Sequence, residues 1–493
     1  MCWVIGAVPL EWSDDRFLDK TFEVIRASRS RWPDGFGFSV LVKWWTLERN
    51  VAPTLKELYE KLQLYKWRAL SIIAQARYPT SGPKNGETSA MQPFHVNSGD
   101  WLSSFGFNGT IVNAGDLAQR LTEKWYNFTH APLLDTEVLE KMIEDLIRHN
   151  IVDQKEILTS INNDIDGCCN IILLDEKWNL SVAKDKWGFR PLAYSIFNGV
   201  LYIASEDSAL RKIGCRDIQF IGRRKILQVN GETKEITKTN MHIENLPPQK
   251  QGCFFEVVYF AQPETMLWGE PAAAYRRRFG QALWEEDVNK FNADDTIVVD
   301  IPASSEDAAK GYADRLGLTY LRAITKNPDA WRLFIAGGEQ RAVRMKQKYI
   351  FNPKLRPFIE WKRVVMPDDS VVRGDTLEHV VREFQNFYKP SEIHLRIPSP
   401  AVVAPCFYGI NLAKTNELIA PRFFHDTQNP TAEELKGLAS HFGATSLRYL
   451  TIPQLIDALQ MHVKSVCLGC VTGEYPTPYW QREYDAQKNH PTA

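Results

Sequence analysis

Three groups of residues in this chain have types and spacings suited to chemistry. The first is a cysteine at position 2. Removal of the initiator methionine, favoured when the next residue is small, leaves the Cys2 thiol beside a free α-amino group. An α-amine titrates at roughly 7.7–8.0, so near neutral pH part of it is unprotonated and can take the thiol proton. One residue then supplies both nucleophile and base. The second group is VVMPDDSVVRGDT, ending at Thr376: a hydrophobic strand, the acids Asp368 and Asp369, and a loop from Ser370 through Arg373 to Gly374 that opens a helix. Backbone N–H groups at a helix start are a natural seat for a phosphate. The third group is Cys253, Cys406 and the CxxC pair Cys467 and Cys470. On ligand softness, four thiolates suit either Zn²⁺ or an iron–sulfur cluster.

The elements that must position these groups change character along the chain. In the first half, FGFSVLVKWW, ALSIIAQARY, WLSSFGFNGTIVN, CCNIILLDE and GVLYIAS are β-branched or aromatic runs broken by Gly, Asn and Pro, the pattern of strands. One clear helix is expected at 135–149, with Val138, Leu139, Ile143, Leu146 and Ile147 at helical spacing behind Asp135 as N-cap. Asn108-Gly109, met in isolation, would read as a hairpin turn. A Lys- and Thr-rich stretch ending in LPPQKQG marks a domain boundary. Beyond it, strands alternate with helices, which predicts a mostly parallel sheet with helices on both faces. Ligands of such sheets bind at the carboxyl ends of the strands, here the loops after Ile301 and Pro367.

Composition bounds the rest. The 493 residues are 44% hydrophobic and 24% charged, which excludes a mostly disordered chain and calls for more than one domain. The net charge of -1 argues against a nucleic-acid binder. The apolar runs are too short to cross a bilayer. The N-terminal residues lack a secretory pattern, so a cytoplasmic location is expected. Eight cysteines are then reduced thiols, with Cys168, Cys169 and Cys215 read as core residues.

Taken in order, ARYPTSG, QPFHVNSGDWLSSFGFNGTIVN and DKWGFRPL resemble the class II glutamine amidotransferase domain of the amidophosphoribosyltransferases, whose counterparts are RYSTxG, QPF…HNGN…N and RDxxGxRPL. The resemblance spans roughly residues 2 to 480. It implies that Cys2 attacks the side-chain amide of glutamine, and that the Asn108 amide and the Gly109 N–H stabilise the oxyanion. It also implies that Arg77 holds the glutamine α-carboxylate, Asp135 its ammonium group, and that Arg31 takes the place of the arginine in HRGxxSxG. The acid-pair run resembles the phosphoribosyltransferase signature. That places phosphoribosyl pyrophosphate and Mg²⁺ at Ser304, Ser305, Lys326, Asp368, Asp369, Ser370, Arg373, Gly374 and Thr376. The contexts GCFFEVVYF, PCFYGIN and CLGCVTGEYPT resemble those of the cysteines that hold a 4Fe–4S cluster in one branch of the family, which favours iron–sulfur over zinc at Cys253, Cys406, Cys467 and Cys470.

The expected architecture is an α+β, N-terminal-nucleophile αββα glutaminase domain at 2–250. An α/β type I phosphoribosyltransferase domain with a mostly parallel sheet follows at 251–460, then a tail at 461–493 carrying the CxxC ligands. The expected activity is transfer of glutamine nitrogen to phosphoribosyl pyrophosphate, giving 5-phosphoribosylamine, in a homo-oligomer (dimer or tetramer) as in the family. The chain departs from the family pattern at several points. Trp3 replaces Gly and is expected to crowd the nucleophile strand; Ser30 and Phe107 replace His. Glu306 and Asp375 add negative charge around the phosphate loops, and Pro328-Asp329 replaces Arg-Tyr. These departures keep two alternatives in view: a diverged amidotransferase acting on another phosphosugar or nucleotide precursor, and a regulatory pseudoenzyme.

Overall fold

The computed structural model describes residues 2–11, 16–28, 34–43, 46–78, 87–99, 101–244, 252–285, 287–327, 348–410, 412 and 415–489. They form two compact units, one of residues 1–253 with 406–411 and 475–493, the other of 254–405 with 412–474.

The first unit is built on strands β1 (Trp3–Pro9), β2 (Gly35–Val42), β3 (Thr46–Ala52), β4 (Ala69–Arg77), β5 (Phe94–Ser98), β6 (Trp101–Ile111), β7 (Gly167–Asp175), β8 (Leu180–Lys184), β9 (Ala193–Phe197), β10 (Val200–Ala204), β11 (Gln219–Phe220), β12 (Lys225–Val229) and β13 (Ile236–Asn240). They pair as two antiparallel sheets, in the orders β11-β9-β10-β1-β4-β2-β3 and β13-β12-β8-β7-β6-β5. Side chains alternate faces along a strand, and here both faces of each sheet are covered. From β1, Val4 and Val8 join Ile172, Leu174, Val182 and Leu227 of the other sheet in a shared inner core. Trp3, Ile5 and Ala7 point the opposite way, onto Phe17, Val24 and Ile25 of the helix Phe17–Ala27 and Leu58 and Leu62 of the helix Leu55–Gln63. The outer face of the second sheet packs Phe105, Phe107, Ile171 and Leu173 against Leu117, Val138, Leu139, Ile143 and Ile157. The layers are therefore helix, sheet, sheet, helix.

The expected helix at 135–149 is present as Asp135–Arg148, but Leu134 is its N-cap and Asp135 lies inside the first turn, buried. Four further helices of nine to eleven residues (Phe17–Ala27, Leu55–Gln63, Ala114–Glu123 and Gln154–Asp164) are present where the sequence reading saw mainly strands and loops. Two sheets buried on both faces require such cover, and each helix is short enough for its periodic pattern to be brief.

The second unit has a five-stranded, wholly parallel sheet in the order Thr319–Tyr320, Thr296–Val298, Arg363–Pro367, Glu392–Ile397, Ser446–Tyr449. Helices Glu306–Leu316 and Asp375–Tyr388 follow the two strands whose loops carry the phosphate motifs. Helix Ala272–Ala282 packs against Glu306–Leu316 at glycine contacts. A Cβ at Gly280 would sit 1.9 Å from the Ala308 carbonyl oxygen, and one at Gly311 2.1 Å from that of Arg277. The glycine of AAKGYA thus sets a helix crossing. Under the sheet, buried Arg396 grips Asp287 with two bonds of 2.6 and 2.9 Å, and Tyr312 donates to the same carboxylate at 2.8 Å.

Candidate active site

Cys2 sits at the head of β1 and is 8% exposed. Its sulfur accepts from the Tyr78 N–H at 3.3 Å, and its thiol faces the Tyr78 carbonyl at 3.4 Å. Burial pushes the thiol above its ordinary value; the Tyr78 N–H and the Arg77 guanidinium pull it down, and the Asp135 carboxylate pushes it further up. A buried thiol held this way does not ionise unaided, so its chemistry calls for an adjacent base.

Asn108 and Gly109 are not at a turn. They lie inside the eleven-residue strand β6, opposite Asn170 and Cys169 of β7. Phe107 belongs to the helix-side core, so alternation turns Asn108 to the inter-sheet side, the side that Val4 of the nucleophile strand also faces. At Gly109 an ideal Cβ would fall 1.7 Å from the Cys168 carbonyl oxygen, so only glycine fits and the backbone there is closely held. Two glutamines, Gln75 of β4 and the Gln92 that opens the QPF run, clamp the residue before Asn108. Gln75 donates to the Phe107 carbonyl at 3.0 Å, and Gln92 accepts from the Phe107 N–H at 2.6 Å. Gln92 also donates to Thr136, beside Asp135, at 2.9 Å. The Asp135 carboxylate accepts from the Ile111 N–H at 3.4 Å. In the DKWGFRPL motif, Asp185 accepts from the N–H groups of Trp187 and Gly188, and buried Arg190 donates to the Tyr408 carbonyl.

Two departures from the family pattern point away from the inter-sheet face. Trp3 is buried in the helix-side core, so it does not stand on the inter-sheet face of the nucleophile strand as crowding would require. Phe107 likewise faces the helices. Arg31, Ser30 and Pro328-Asp329 lie outside the described residues.

In the second unit the two phosphate loops meet. The Ser304 hydroxyl donates to the Asp369 carboxylate, Ser370 donates to its other oxygen at 2.7 Å, and the Asp369 N–H donates to Asp368 at 3.0 Å. Burial and the neighbouring Asp369 push the Asp368 carboxyl well above the usual range. Burial also raises Asp369, against the pull of its serine donors and Arg276. Lys326, crowded by surrounding protein, is lowered by that desolvation and supported by Asp369 and Asp368. Lys348, which the sequence reading did not single out, feels the same acids and is lowered by desolvation and by Lys326. Two acids and two lysines thus converge on one region, a setting for an anionic ligand and its cation.

Gly374, at φ +89°, turns the loop into the helix Asp375–Tyr388; a Cβ there would meet Ile419 and Phe442 at 2.8 Å. Arg373 is drawn to Glu417 at 3.0 Å, and Thr376 lies in the first helical turn. Ser305 is buried and its hydroxyl donates to the Ile301 carbonyl, leaving Ser304 as the serine facing the acids. Glu306 is ion-paired with Lys310 and Arg322, so its charge is compensated. Asp375 is exposed at the helix start.

Of the four thiols expected at a metal, Cys253, Cys467 and Cys470 are buried and Cys406 is half-buried. Burial raises the Cys406 thiol. Among the described residues no group of three or more His, Cys, Asp or Glu side chains is gathered as a metal site.

A four-layer unit opening on a buried cysteine, with a parallel-sheet unit carrying an acid pair and phosphate loop, defines a class: a glutaminase of the N-terminal-nucleophile type coupled to a type I phosphoribosyltransferase fold. Residues 84–212 match the family model described as a glutamine amidotransferase domain. The chain is 31% identical to the amidophosphoribosyltransferase of Methanocaldococcus jannaschii over 82% of its own length and 83% of the relative's. It is 32% identical to that of Methanothermobacter thermautotrophicus, over 85% and 82% respectively. The solved glutamine phosphoribosylpyrophosphate amidotransferase of B. subtilis, complexed with ADP and GMP, superposes with a TM-score of 0.78 at 26% identity, over 97% of this chain and 98% of that one. The chain belongs to the amidophosphoribosyltransferase family. Among the described residues, no helix is long and apolar enough to cross a membrane.

Proposed function

We propose that this protein is a cytoplasmic, glutamine-dependent amidophosphoribosyltransferase working in two coupled steps. The Cys2 sulfur attacks the side-chain amide carbon of glutamine while the α-amine takes its proton. The tetrahedral oxyanion is met by the Asn108 amide and the Gly109 N–H, each such donor being worth about 2.7–4 kcal/mol of barrier. Collapse breaks the C–N bond, the α-ammonium returns its proton to the leaving nitrogen, and ammonia departs. Water then cleaves the glutamyl thioester to glutamate and regenerates the thiol. Arg77 and Asp135 hold the α-carboxylate and α-ammonium of glutamine, and their charges match those groups.

In the second step the ammonia lone pair attacks C1 of phosphoribosyl pyrophosphate. The C1–O bond breaks, and 5-phosphoribosylamine, pyrophosphate and a proton result. Asp368 and Asp369 receive the ribose hydroxyls, the loop Ser370–Gly374 with Thr376 seats the 5′-phosphate, and Ser304, Ser305 and Lys326 take the pyrophosphate. The raised acid pair fits Mg²⁺, which when bound with pyrophosphate would neutralise the leaving group's charge. Ammonia must reach this site before it is protonated, because ammonium has no lone pair to donate.

The observation that carries the reading is the pairing, in one chain, of the buried Cys2 beside Arg77 and Asp135 with the Asp368/Asp369 loop site. Purified protein given glutamine, phosphoribosyl pyrophosphate and Mg²⁺ is expected to release pyrophosphate. Absence of release with both glutamine and ammonia as nitrogen source would contradict the reading.

The 4Fe–4S cluster belongs to the same proposal. Four soft thiolate donors at Cys253, Cys406, Cys467 and Cys470 suit it, and when bound it would serve as a structural tie. Iron and acid-labile sulfide, each near four per chain in anaerobically purified protein, are the expected result for a 4Fe–4S cluster. A homo-oligomer is expected as well, to be read from light scattering.

A further inference from the structure

Asn108 is buried within the first unit, and its environment is incomplete in an informative way. Its Nδ2 lies 3.4 Å from Ser205 Oγ, whereas its Oδ1 has no hydrogen-bond partner among the described residues. Ser205 follows β10 and is itself buried. Leu201 and Ile203 face the inner core, so alternation turns Ser205 to the same inter-sheet side as Asn108. Its Oγ accepts from the Val4 N–H at 3.0 Å, and its own N–H donates to the Val4 carbonyl at 3.1 Å. The serine is therefore fixed to the strand that begins with the nucleophile, two residues from Cys2.

The hydroxyl has one proton to give. The Val4 carbonyl is a poor recipient, 3.5 Å away and already accepting from the Ser205 N–H. The other neighbour is the Asn108 carboxamide. An amide's O and N ends are nearly equal in shape, and the hydrogen-bond network decides between them. With the ends exchanged, the Ser205 hydroxyl donates to Oδ1, the orphaned oxygen gains its partner, and both Nδ2 hydrogens are released. The exchange moves the unpaired end from oxygen to the Nδ2 N–H groups, a buried cost of about 1–3 kcal/mol that is relieved when an oxyanion accepts from them. It also leaves the amide N–H groups available to a developing oxyanion.

We propose that Ser205 is a positioning residue for the glutaminase half-reaction: its hydroxyl holds Asn108 by the carbonyl end, so that the amide N–H is presented to the oxyanion formed at Cys2. This rests on the glutaminase reading given above. Ser205 touches no substrate. It acts through Asn108, and it couples that side chain to the nucleophile strand.

The test is a double-mutant cycle on the full-length protein with glutamine as nitrogen donor. Ser205→Ala is expected to lower glutaminase kcat roughly tenfold, short of the ~10²–10³-fold loss of the donor itself, with KM for glutamine little changed. Ser205→Thr, which keeps the hydroxyl, should restore most of kcat. In an Asn108→Ala background, Ser205→Ala should have no further effect, because the two act as one unit. Ammonia-dependent pyrophosphate release reports an intact fold and should match the parent. Should the alanine variant lose that release as well, Ser205→Cys, of similar size but a weak donor, asks the same question. A parent-like kcat in Ser205→Ala, or full additivity with Asn108→Ala, overturns the proposal. If the parent itself hydrolyses no glutamine, it is the glutaminase reading that fails.

Discussion

Gly109→Ala is the perturbation whose consequence follows most directly from the geometry. The added methyl would stand 1.7 Å from the Cys168 carbonyl oxygen, 2.6 Å from its carbon and 2.7 Å from Cys169 Cα, all backbone atoms of the paired strand β7. Non-bonded contacts of carbon settle at about 3.5–4.0 Å, so relief requires β6 and β7 to part by roughly 2 Å at the Gly109–Cys169 register. The strand cannot yield elsewhere, because Gln75 and Gln92 hold the Phe107 carbonyl and N–H. The Gly109 N–H would then miss an oxyanion that needs it within ~2.7–3.1 Å, at a cost of about 10²–10³-fold in kcat. Stability should fall by ~1–3 kcal/mol, as for other overpacked sites. The assay is glutamate release under saturating glutamine, with ammonia-dependent pyrophosphate release and thermal melting on the same preparation. Parent-like glutamate release from a folded Gly109→Ala protein would refute the argument that this N–H is positioned for the oxyanion.

Other consequences can be checked independently. Asp375 places an exposed carboxylate at the start of the phosphate-loop helix; Asp375→Thr should lower KM for phosphoribosyl pyrophosphate while losing ~0.3–1 kcal/mol of helix-dipole stabilisation, read as a slightly lower Tm. Arg396→Ala leaves the buried Asp287 carboxylate without its bidentate partner and should cost about 3–5 kcal/mol in chemical denaturation. Burial opposes ionisation of Asp287, but Arg396 and the Tyr312 hydroxyl outweigh it and hold the carboxyl below its ordinary value of 3.8. Its contribution to stability is therefore present above pH 3.8 and lost as pH falls through the depressed folded value. Acid titration of the parent should show that loss, and Arg396→Ala should unfold at higher pH. For the proposed 4Fe–4S cluster, Cys467→Ser should abolish the iron expected in the parent; iron at the parental level in the variant would remove Cys467 from the proposed ligand set.

What the sequence disclosed was local. The Cys2 start, the acid pair with its loop, and the helically spaced apolar run behind Asp135 carry their meaning within a dozen residues, and the corresponding strands and helix stand where that pattern puts them. What it hid depends on layers and distant partners. Asn108-Gly109 has the composition of a turn, yet long pairing with β7 makes it strand interior. Trp3 and Phe107 look like intrusions until the sheet faces are known, and then both point into helix-side cores. Of the two partners of Glu306, Lys310 lies at i+4 in the same helix and is legible from spacing, whereas Arg322 is sixteen residues away, beyond the helix that Glu306 begins. Ser205 and Gln75 reach Asn108 and the β6 backbone from other strands, so no spacing rule could have singled them out, whereas Gln92 opens the QPF run and only its hold on the Phe107 N–H needed the fold.

The claim that Cys2 liberates the nitrogen delivered to phosphoribosyl pyrophosphate is decided by measuring glutamate and pyrophosphate together in the parent and in Cys2→Ala. The claim predicts equimolar products with glutamine in the parent. In Cys2→Ala it predicts loss of both products with glutamine, and pyrophosphate release undiminished when ammonia is supplied. Glutamine-dependent pyrophosphate release that survives Cys2→Ala would contradict it.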